Sequence, residues 1–202
     1  AVAYEIFGLN RPEVGPDWYR YLACAAEPGV LRARGGLTVD AEGDLSSLQE
    51  ADLIIVPGWR GVRDPVPEAL CEALRAANRR GARIASLCSG VFVLAAAGLI
   101  EGRRATTHWR YLETLKAICP GARVEPDVLY VDEGDILTAA GSAAGIDLCL
   151  HIVRKDFGPD AANSVARRLV VPPHRDGGQA QYIERPVPEH RLEHGIRFGE
   201  RS

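Results

Sequence analysis

Hydrophobic positions along the chain switch between short continuous runs and helical spacing, which predicts strands alternating with helices. Two runs, 52–58 and 84–87, have the form of strands buried on both faces of a parallel sheet. Between them, 68–80 has an amphipathic helical pattern, and Gly81 is its predicted end. Strand, helix and strand in that order indicate an α/β fold, with helices on both faces of a mostly parallel sheet.

Weaker patterns predict the remaining elements. They are a helix already under way at Ala1 and ending at Gly8, a strand over 19–26, a turn at 35–36 before an extended piece 37–39, a short helix near 46–47, an extended piece 105–109, a helix over 111–118, a hairpin of 129–131 with 136–138, and helices over 143–157 and 161–170 separated by Gly158-Pro159. The last segment, 175–202, is polar and contains Gly and Pro, so we expect a surface tail.

Length and composition fit one globular domain. The chain has 202 residues, of which 47% are hydrophobic, enough for a full core. A net charge of −3 and a pI near 6.0 give no sign of a basic surface, so this chain alone is not expected to bind DNA. The longest apolar run, 91–100, is broken by Gly98 and is too short to span a bilayer, and the first residues lack a signal-peptide pattern. No membrane association is expected.

The cysteines indicate neither a disulfide framework nor a metal site. They are odd in number, widely separated and never in a C-x-x-C pair: Cys24, Cys71, Cys88, Cys119 and Cys149. No cluster of His, Cys, Asp and Glu has the spacing of metal ligands, so neither a metal nor another cofactor is expected. A reducing cytosol is the expected compartment.

Cys88 lies at the predicted turn from the strand 84–87 into an apolar helix that begins at Val91. Such an elbow exposes its corner residue at the carboxyl end of the sheet, where unpaired N–H groups of the helix stabilise a thiolate. The adjacent hydroxyl of Ser89 is expected to favour the charged sulfur as well. Cys88 is therefore the candidate nucleophile, and the alternative is a buried cysteine that only packs.

His108 and the turn 57–59 complete the predicted site. His108 lies on an extended segment after the elbow helix, so it can return to the same sheet edge as a base, or it can be a packed strand end. The N–H groups of the turn, with that of Ser89, would form an oxyanion hole or an anion-binding nest, and the alternative is an ordinary turn with an exposed indole. Trp59 would line a pocket or cap the core. The predicted pocket consists of Gly58, Trp59, Cys88, Ser89 and His108.

Three segments, 86–99, 102–109 and 137–147, resemble the DJ-1/PfpI branch of the class I glutamine-amidotransferase-like superfamily. This resemblance covers most of the chain and implies a flavodoxin-like three-layer sandwich with a cysteine nucleophile elbow. The superfamily's opening strand and the first-helix acid that hydrogen-bonds the thiol are expected to fall before Ala1, since Glu5 lies too far along the helix. No acid closely follows His108, so glutamine hydrolysis is not expected.

Two branches of this superfamily share these motifs: isocyanide hydratases, and the amino-terminal domains of AraC/XylS-type transcriptional regulators. The segment 166–181, with Arg175-x-Gly-Gly-Gln, resembles the bridge between the sensor and helix-turn-helix domains of those regulators. It implies a sensor domain over 1–174 and a linker over 175–202 that leads to a helix-turn-helix domain absent from this chain, because 188–202 has no such pattern.

The resemblance favours a cytoplasmic, homodimeric domain that senses a small-molecule effector of unknown identity, with DNA contacted only through the absent domain. One alternative is an enzyme of the isocyanide hydratase type, with Cys88 as nucleophile and His108 assisting proton transfer. A further alternative is a redox sensor in which an accessible Cys88 of low pKa is oxidised.

Overall fold

The computed structural model describes residues 2–32, 36 and 38–181, and over these it contains eight strands and four α-helices. The strands are β1 (Leu31–Arg32), β2 (Thr38–Val39), β3 (Leu53–Val56), β4 (Arg83–Leu87), β5 (Arg104–Ala105), β6 (Arg123–Val124), β7 (Tyr130–Asp132) and β8 (Ile136–Ala139). The helices are α1 (Glu68–Arg80), α2 (Val91–Ala96), α3 (Leu112–Ile118) and α4 (Ser142–Leu169).

The central sheet has the strand order β3-β4-β8-β7. The pairs β3/β4 and β4/β8 are parallel, with Leu53 opposite Arg83 and Ile84 opposite Ile136, while β7 is antiparallel to β8. These pairings confirm the predicted parallel strands and the predicted hairpin. Within the described ranges β3 is an edge strand, and two smaller sheets join β1 to β2 and β5 to β6.

The central sheet is buried on both faces, which makes the fold a three-layer sandwich. Ile84 packs in a core with Leu74 of α1, whereas its neighbour Ala85 faces the opposite core with Leu148 of α4. This alternation is the reason that the strand sequence is continuously apolar. None of the helices in the described ranges is long and apolar enough to cross a bilayer.

Helix boundaries follow the predicted signals closely. α1 ends at Arg80, and Gly81 adopts φ +104°, a conformation that glycine accepts without steric cost. α4 is interrupted at Gly158 (φ 86°, ψ 174°), so it consists of the two predicted helices. Residues 4–8 form a short π-helical turn at the predicted first helix, and 45–49 form a 3₁₀ turn.

The strand predicted over 19–26 is wrong. In the described ranges, the β pairing of this segment is limited to one isolated bridge, between Cys24 and Gly43. Tyr19 of this segment packs on the core instead, with its ring centroid 4.8 Å from that of Phe7 and 5.0 Å from that of Phe157. Strand propensity reflects packing on a half-buried surface, and here the ring packs on such a surface without strand pairing. The expectation for 188–202 lies outside the described residues.

Candidate functional site

The elbow backbone has the predicted form. Cys88 follows β4 directly and adopts φ +52°, in the left-handed region that residues other than glycine rarely occupy. A 3₁₀ turn over Cys88–Gly90 then leads into α2. Such a conformation costs free energy and persists only where the surrounding structure holds it, so Cys88 is fixed at the carboxyl edge of the sheet.

Gly90 allows the elbow to approach the end of β3. A Cβ atom at Gly90 would lie 2.3 Å from the carbonyl oxygen of Val56 and 3.3 Å from the backbone nitrogen of Gly58. These neighbours are backbone atoms and have little freedom to move. The elbow is therefore in direct backbone contact with the strand beside it.

Ser89 closes this side of the elbow with two hydrogen bonds. Its hydroxyl accepts from the backbone N–H of Trp59 at 3.0 Å and donates to the carbonyl oxygen of Trp59 at 3.2 Å. The indole Nε1–H of Trp59 donates to the carbonyl of Asp64 at 3.1 Å, and Arg60 stacks on the ring. The Trp59 N–H expected in an oxyanion hole is thus already bonded, and the Ser89 hydroxyl does not serve the sulfur.

A cavity of about 480 Å³ opens on the other side of the elbow. Its lining residues come from the elbow, the segment after it, the start of α4 and the end of the described chain: Cys88, His108, Trp109, Arg110, Tyr111, Leu129, Ala140, Gly141, Ser142, Ala143, Ala144, Arg175 and Gln181. The structure therefore brings Cys88 and His108 to one cavity. Gly58, Trp59 and Ser89 lie together on the closed side and do not line it, which differs from the predicted pocket.

The thiol of Cys88 is favoured in its neutral form. Burial raises the pKa of the thiol, and the backbone N–H of Ser89 opposes this shift only in part. The predicted stabilisation of the thiolate is therefore wrong in direction, because desolvation disfavours the charged sulfur more than the turn favours it. No basic side chain in the described part of the chain contributes to lowering this pKa.

His108 lines the same cavity as Cys88 and is a neutral side chain. Burial and the nearby Arg110 lower the pKa of the imidazole. Its Nδ1 accepts the backbone N–H of Arg110 at 3.2 Å, which places the ring proton on Nε2. The hydroxyl of Thr107 donates to the carbonyl oxygen of Cys88 at 2.8 Å and ties this segment to the elbow. His108 is therefore equipped as a hydrogen-bond donor through Nε2.

Residues 175–181, which we call the strap, fold back over the cavity. Arg175 donates to both carboxylate oxygens of Asp147, from Nε at 3.0 Å and from Nη2 at 2.6 Å. The carbonyl of Gly177 accepts the N–H of Leu129 at 2.6 Å, and the amide of Gln181 donates to the carbonyl of Thr107 at 3.0 Å. The first part of the predicted surface tail is therefore bound to the domain.

The sequence prediction missed this half of the site. Two signals indicate it: Asp147 is an acid within the otherwise apolar stretch 143–150, where its side chain is 7% exposed, and the strap contains two adjacent glycines. A buried carboxylate needs a cationic partner, and Arg175 supplies it. A Cβ at Gly177 would lie 2.8 Å from the carbonyl oxygen of Tyr130, so this glycine permits the close approach.

No group of three or more His, Cys, Asp and Glu side chains capable of holding a metal occurs in the described ranges. The charged side chains of the cavity lining are those of Arg110 and Arg175, which suit an anionic organic ligand.

Comparison with known proteins matches residues 22–155 to the DJ-1/PfpI family. The HTH-type transcriptional regulator CdhR of Pseudomonas aeruginosa is 34% identical over 173 residues, which are 84% of this chain and 51% of that protein. An isonitrile hydratase of Pseudomonas putida is 38% identical over 126 residues, 60% of this chain and 53% of that enzyme. This chain therefore spans about half the length of these relatives.

Among solved structures, an AraC family transcriptional regulator from Pseudomonas putida matches with a TM-score of 0.69 and 22% identity. The match covers 83% of this chain and 90% of that one. At this level of identity the similarity establishes the flavodoxin-like fold of the DJ-1/PfpI proteins.

Proposed function

We propose, since the chain belongs to the DJ-1/PfpI family, that it is the effector-sensing domain of an AraC-type transcriptional regulator. A sensor needs a pocket with different affinity in two states and a connection from that pocket to the rest of the protein. Curated relatives that are HTH-type regulators support this proposal, and they extend well beyond the matched region.

The contribution of the strap to the cavity is the observation that carries the proposal. Arg175 and Gln181 line the cavity together with Cys88, and both belong to the segment that leads out of the domain. A ligand in the cavity would contact this segment directly. We place the sensor body at 1–174, as predicted from the sequence, with 175–202 as the link, of which the strap serves as one wall of the pocket.

Further features of the whole protein belong to the same proposal. DNA binding would reside in a carboxy-terminal helix-turn-helix domain outside this chain, the protein would act as a homodimer, and it would function in the cytoplasm. The gene sequence downstream of the codon for Ser202 tests the first of these: a helix-turn-helix pair is expected there, and a gene that ended at that codon would contradict it.

A second candidate function is cysteine-dependent hydration of an isocyanide. The left-handed backbone of Cys88, its place in the cavity and the similarity to an isonitrile hydratase favour it. Two observations count against it. The raised pKa of the thiol disfavours the nucleophilic thiolate, and the Nδ1 atom of His108 already accepts a backbone N–H, so this nitrogen does not act as a base.

Incubation of the purified chain with tert-butyl isocyanide separates the two candidates. The sensor proposal predicts that the native chain produces N-tert-butylformamide no faster than the Cys88→Ala variant does. This variant is the matched control for uncatalysed hydration. Turnover that requires Cys88 would overturn the sensor proposal and establish the enzyme.

A further inference from the structure

Among the charged side chains that line the cavity, all are cationic. Arg110, Arg175 and His108 contribute side chains, and the start of α4 contributes backbone N–H groups, while no carboxylate is among the lining residues. We propose that the effector is a small monocarboxylate whose carboxyl group binds Arg175 beside the start of α4. This inference rests on the proposed sensing function and names the chemical class that the pocket accepts.

Arg175 presents a carboxylate-binding edge that is held in place. A guanidinium group has two edges that can each grip a carboxylate with two hydrogen bonds. Asp147 takes the edge formed by Nε and Nη2, at 3.0 and 2.6 Å, and so fixes the plane of the group. The other edge, formed by Nη1 and the second hydrogen of Nη2, has no partner among the described residues. Because Arg175 lines the cavity, we assign this edge to the carboxylate of the ligand.

The start of α4 adds further donors. No side chain caps the helix at Gly141, and its first internal bond runs from the N–H of Gly145 to the carbonyl of Gly141 at 2.8 Å. The N–H groups of 142–144 precede that bond, and all three residues line the cavity. His108 lies next to them, since a Cβ at Gly141 would be 3.2 Å from its Cδ2 atom. These donors favour a negative ligand charge.

The charge balance of the pocket favours one negative charge on the ligand. Arg110 and Arg175 carry two positive charges, and the carboxylate of Asp147 compensates one of them. Arg110 has no ion-pair partner among the described residues, and its charge lowers the pKa of His108, so its field reaches the cavity. The remaining single charge fits a monocarboxylate better than a phosphate dianion. Leu129 and the alanines beside it suit a short apolar body.

Protection of Cys88 from iodoacetamide provides the test on the purified chain. Phenylacetate and propionate are compared with phenylacetamide and propionamide, which have nearly the same shapes but no charge, and with inorganic phosphate. Peptide mass spectrometry follows Cys88, with the half-buried Cys24 as an internal reference outside the cavity. The acids are expected to slow alkylation of Cys88, and the amides are not.

Variants then locate the carboxyl group. The double variant Asp147→Asn with Arg175→Gln removes both the guanidinium group and its carboxylate partner, so no buried charge is left unpaired. Its circular dichroism spectrum and melting curve verify that it folds. The apparent affinity for the acids is expected to fall by about tenfold to a hundredfold, the contribution of hydrogen bonds to a charged group. Arg79→Gln removes an exposed arginine of α1 that does not line the cavity, and this variant is expected to leave the affinity unchanged.

Each other outcome overturns the inference in a recognisable way. Equal protection by acids and amides, or stronger protection by phosphate, would contradict the monocarboxylate class. Unchanged affinity in the folded double variant would contradict the role of Arg175. Absence of protection by any probe would also overturn the inference. By contrast, the result that would contradict the sensing function itself is Cys88-dependent turnover of the isocyanide.

Discussion

The two sides of the elbow differ in what they do with their polar groups. On the β3 side, the N–H and carbonyl of Trp59 are both bonded to the hydroxyl of Ser89, and Gly90 lies against the backbone of Val56. On the α4 side, His108 and the start of the helix turn their donors to a cavity that the strap partly covers. One side is a closed structural joint, and the other is an open cavity, which we propose as the binding site of a ligand.

This difference separates the geometry of a nucleophile from its reactivity. The closed joint holds Cys88 at φ +52°, the backbone conformation of a nucleophile elbow. The open side does not ionise the thiol, because burial raises its pKa and the described residues provide no cationic partner for the sulfur. An elbow of this form therefore supports a binding pocket as well as a catalytic centre, and the surrounding charges decide between them.

Gly90→Ala should have the largest effect and tests the closed side. The added methyl would lie 2.3 Å from the carbonyl oxygen of Val56, so the elbow and β3 must separate. We expect the free energy of unfolding, measured with urea, to fall by about 3 kcal/mol. Gly58→Ala is the matched control, since its methyl would meet only the Ser89 oxygen at 3.5 Å. Equal stability of the two variants would contradict the close backbone contact.

Arg175→Ala should have the next largest effect and tests the open side. It leaves the carboxylate of Asp147, 7% exposed, without its cationic partner. We expect a loss of about 2 kcal/mol in urea unfolding, because a buried charge without a partner is costly. The double variant with Asp147→Asn and Arg175→Gln should recover most of that stability. A single variant as stable as the native chain would show that the strap contributes little to the fold.

Ser89→Ala should have a smaller effect that is confined to the closed side. It removes the hydroxyl that bonds both backbone groups of Trp59, at an expected cost of about 1 kcal/mol in the same unfolding assay. The protection of Cys88 by phenylacetate should not change. A loss of that protection would contradict the separation of the two sides.

The pH dependence of Cys88 alkylation should show the smallest effect and tests the state of the thiol. Burial raises its pKa above the ordinary value of 9.0, so the reactive thiolate is scarce at neutral pH. The alkylation rate should therefore continue to rise as the pH increases through this value. A rate that levels off below it would indicate a stabilised thiolate and would favour the enzyme or redox-sensor hypotheses, as would selective oxidation of Cys88 by mild peroxide.

Local patterns in the sequence predicted most of the sheet and the elbow. β3, α1 and β4 are marked by runs and end signals that lie within a few residues of one another. The prediction of a strand over 19–26 is wrong because Tyr19 packs on Phe7 and Phe157 instead, and no local pattern in the sequence reveals these contacts.

The cavity was harder to predict because its walls come from distant segments. Arg175 lies 28 residues from Asp147, and Gln181 lies 74 residues from Thr107. The turn 57–59 was correctly placed beside the elbow, but the sequence does not specify on which side of Cys88 the space lies. That choice depends on which polar groups bond each other in three dimensions.

Hydrogen–deuterium exchange of the strap tests the coupling between cavity and chain most directly. The purified chain is measured with and without phenylacetate at a concentration that protects Cys88, and the peptide covering 175–181 is compared with one from α1. We predict slower exchange in the strap, since the ligand gives Arg175 a second anchor, and no change in α1. Protection of Cys88 with unchanged exchange over 175–181 would contradict the account.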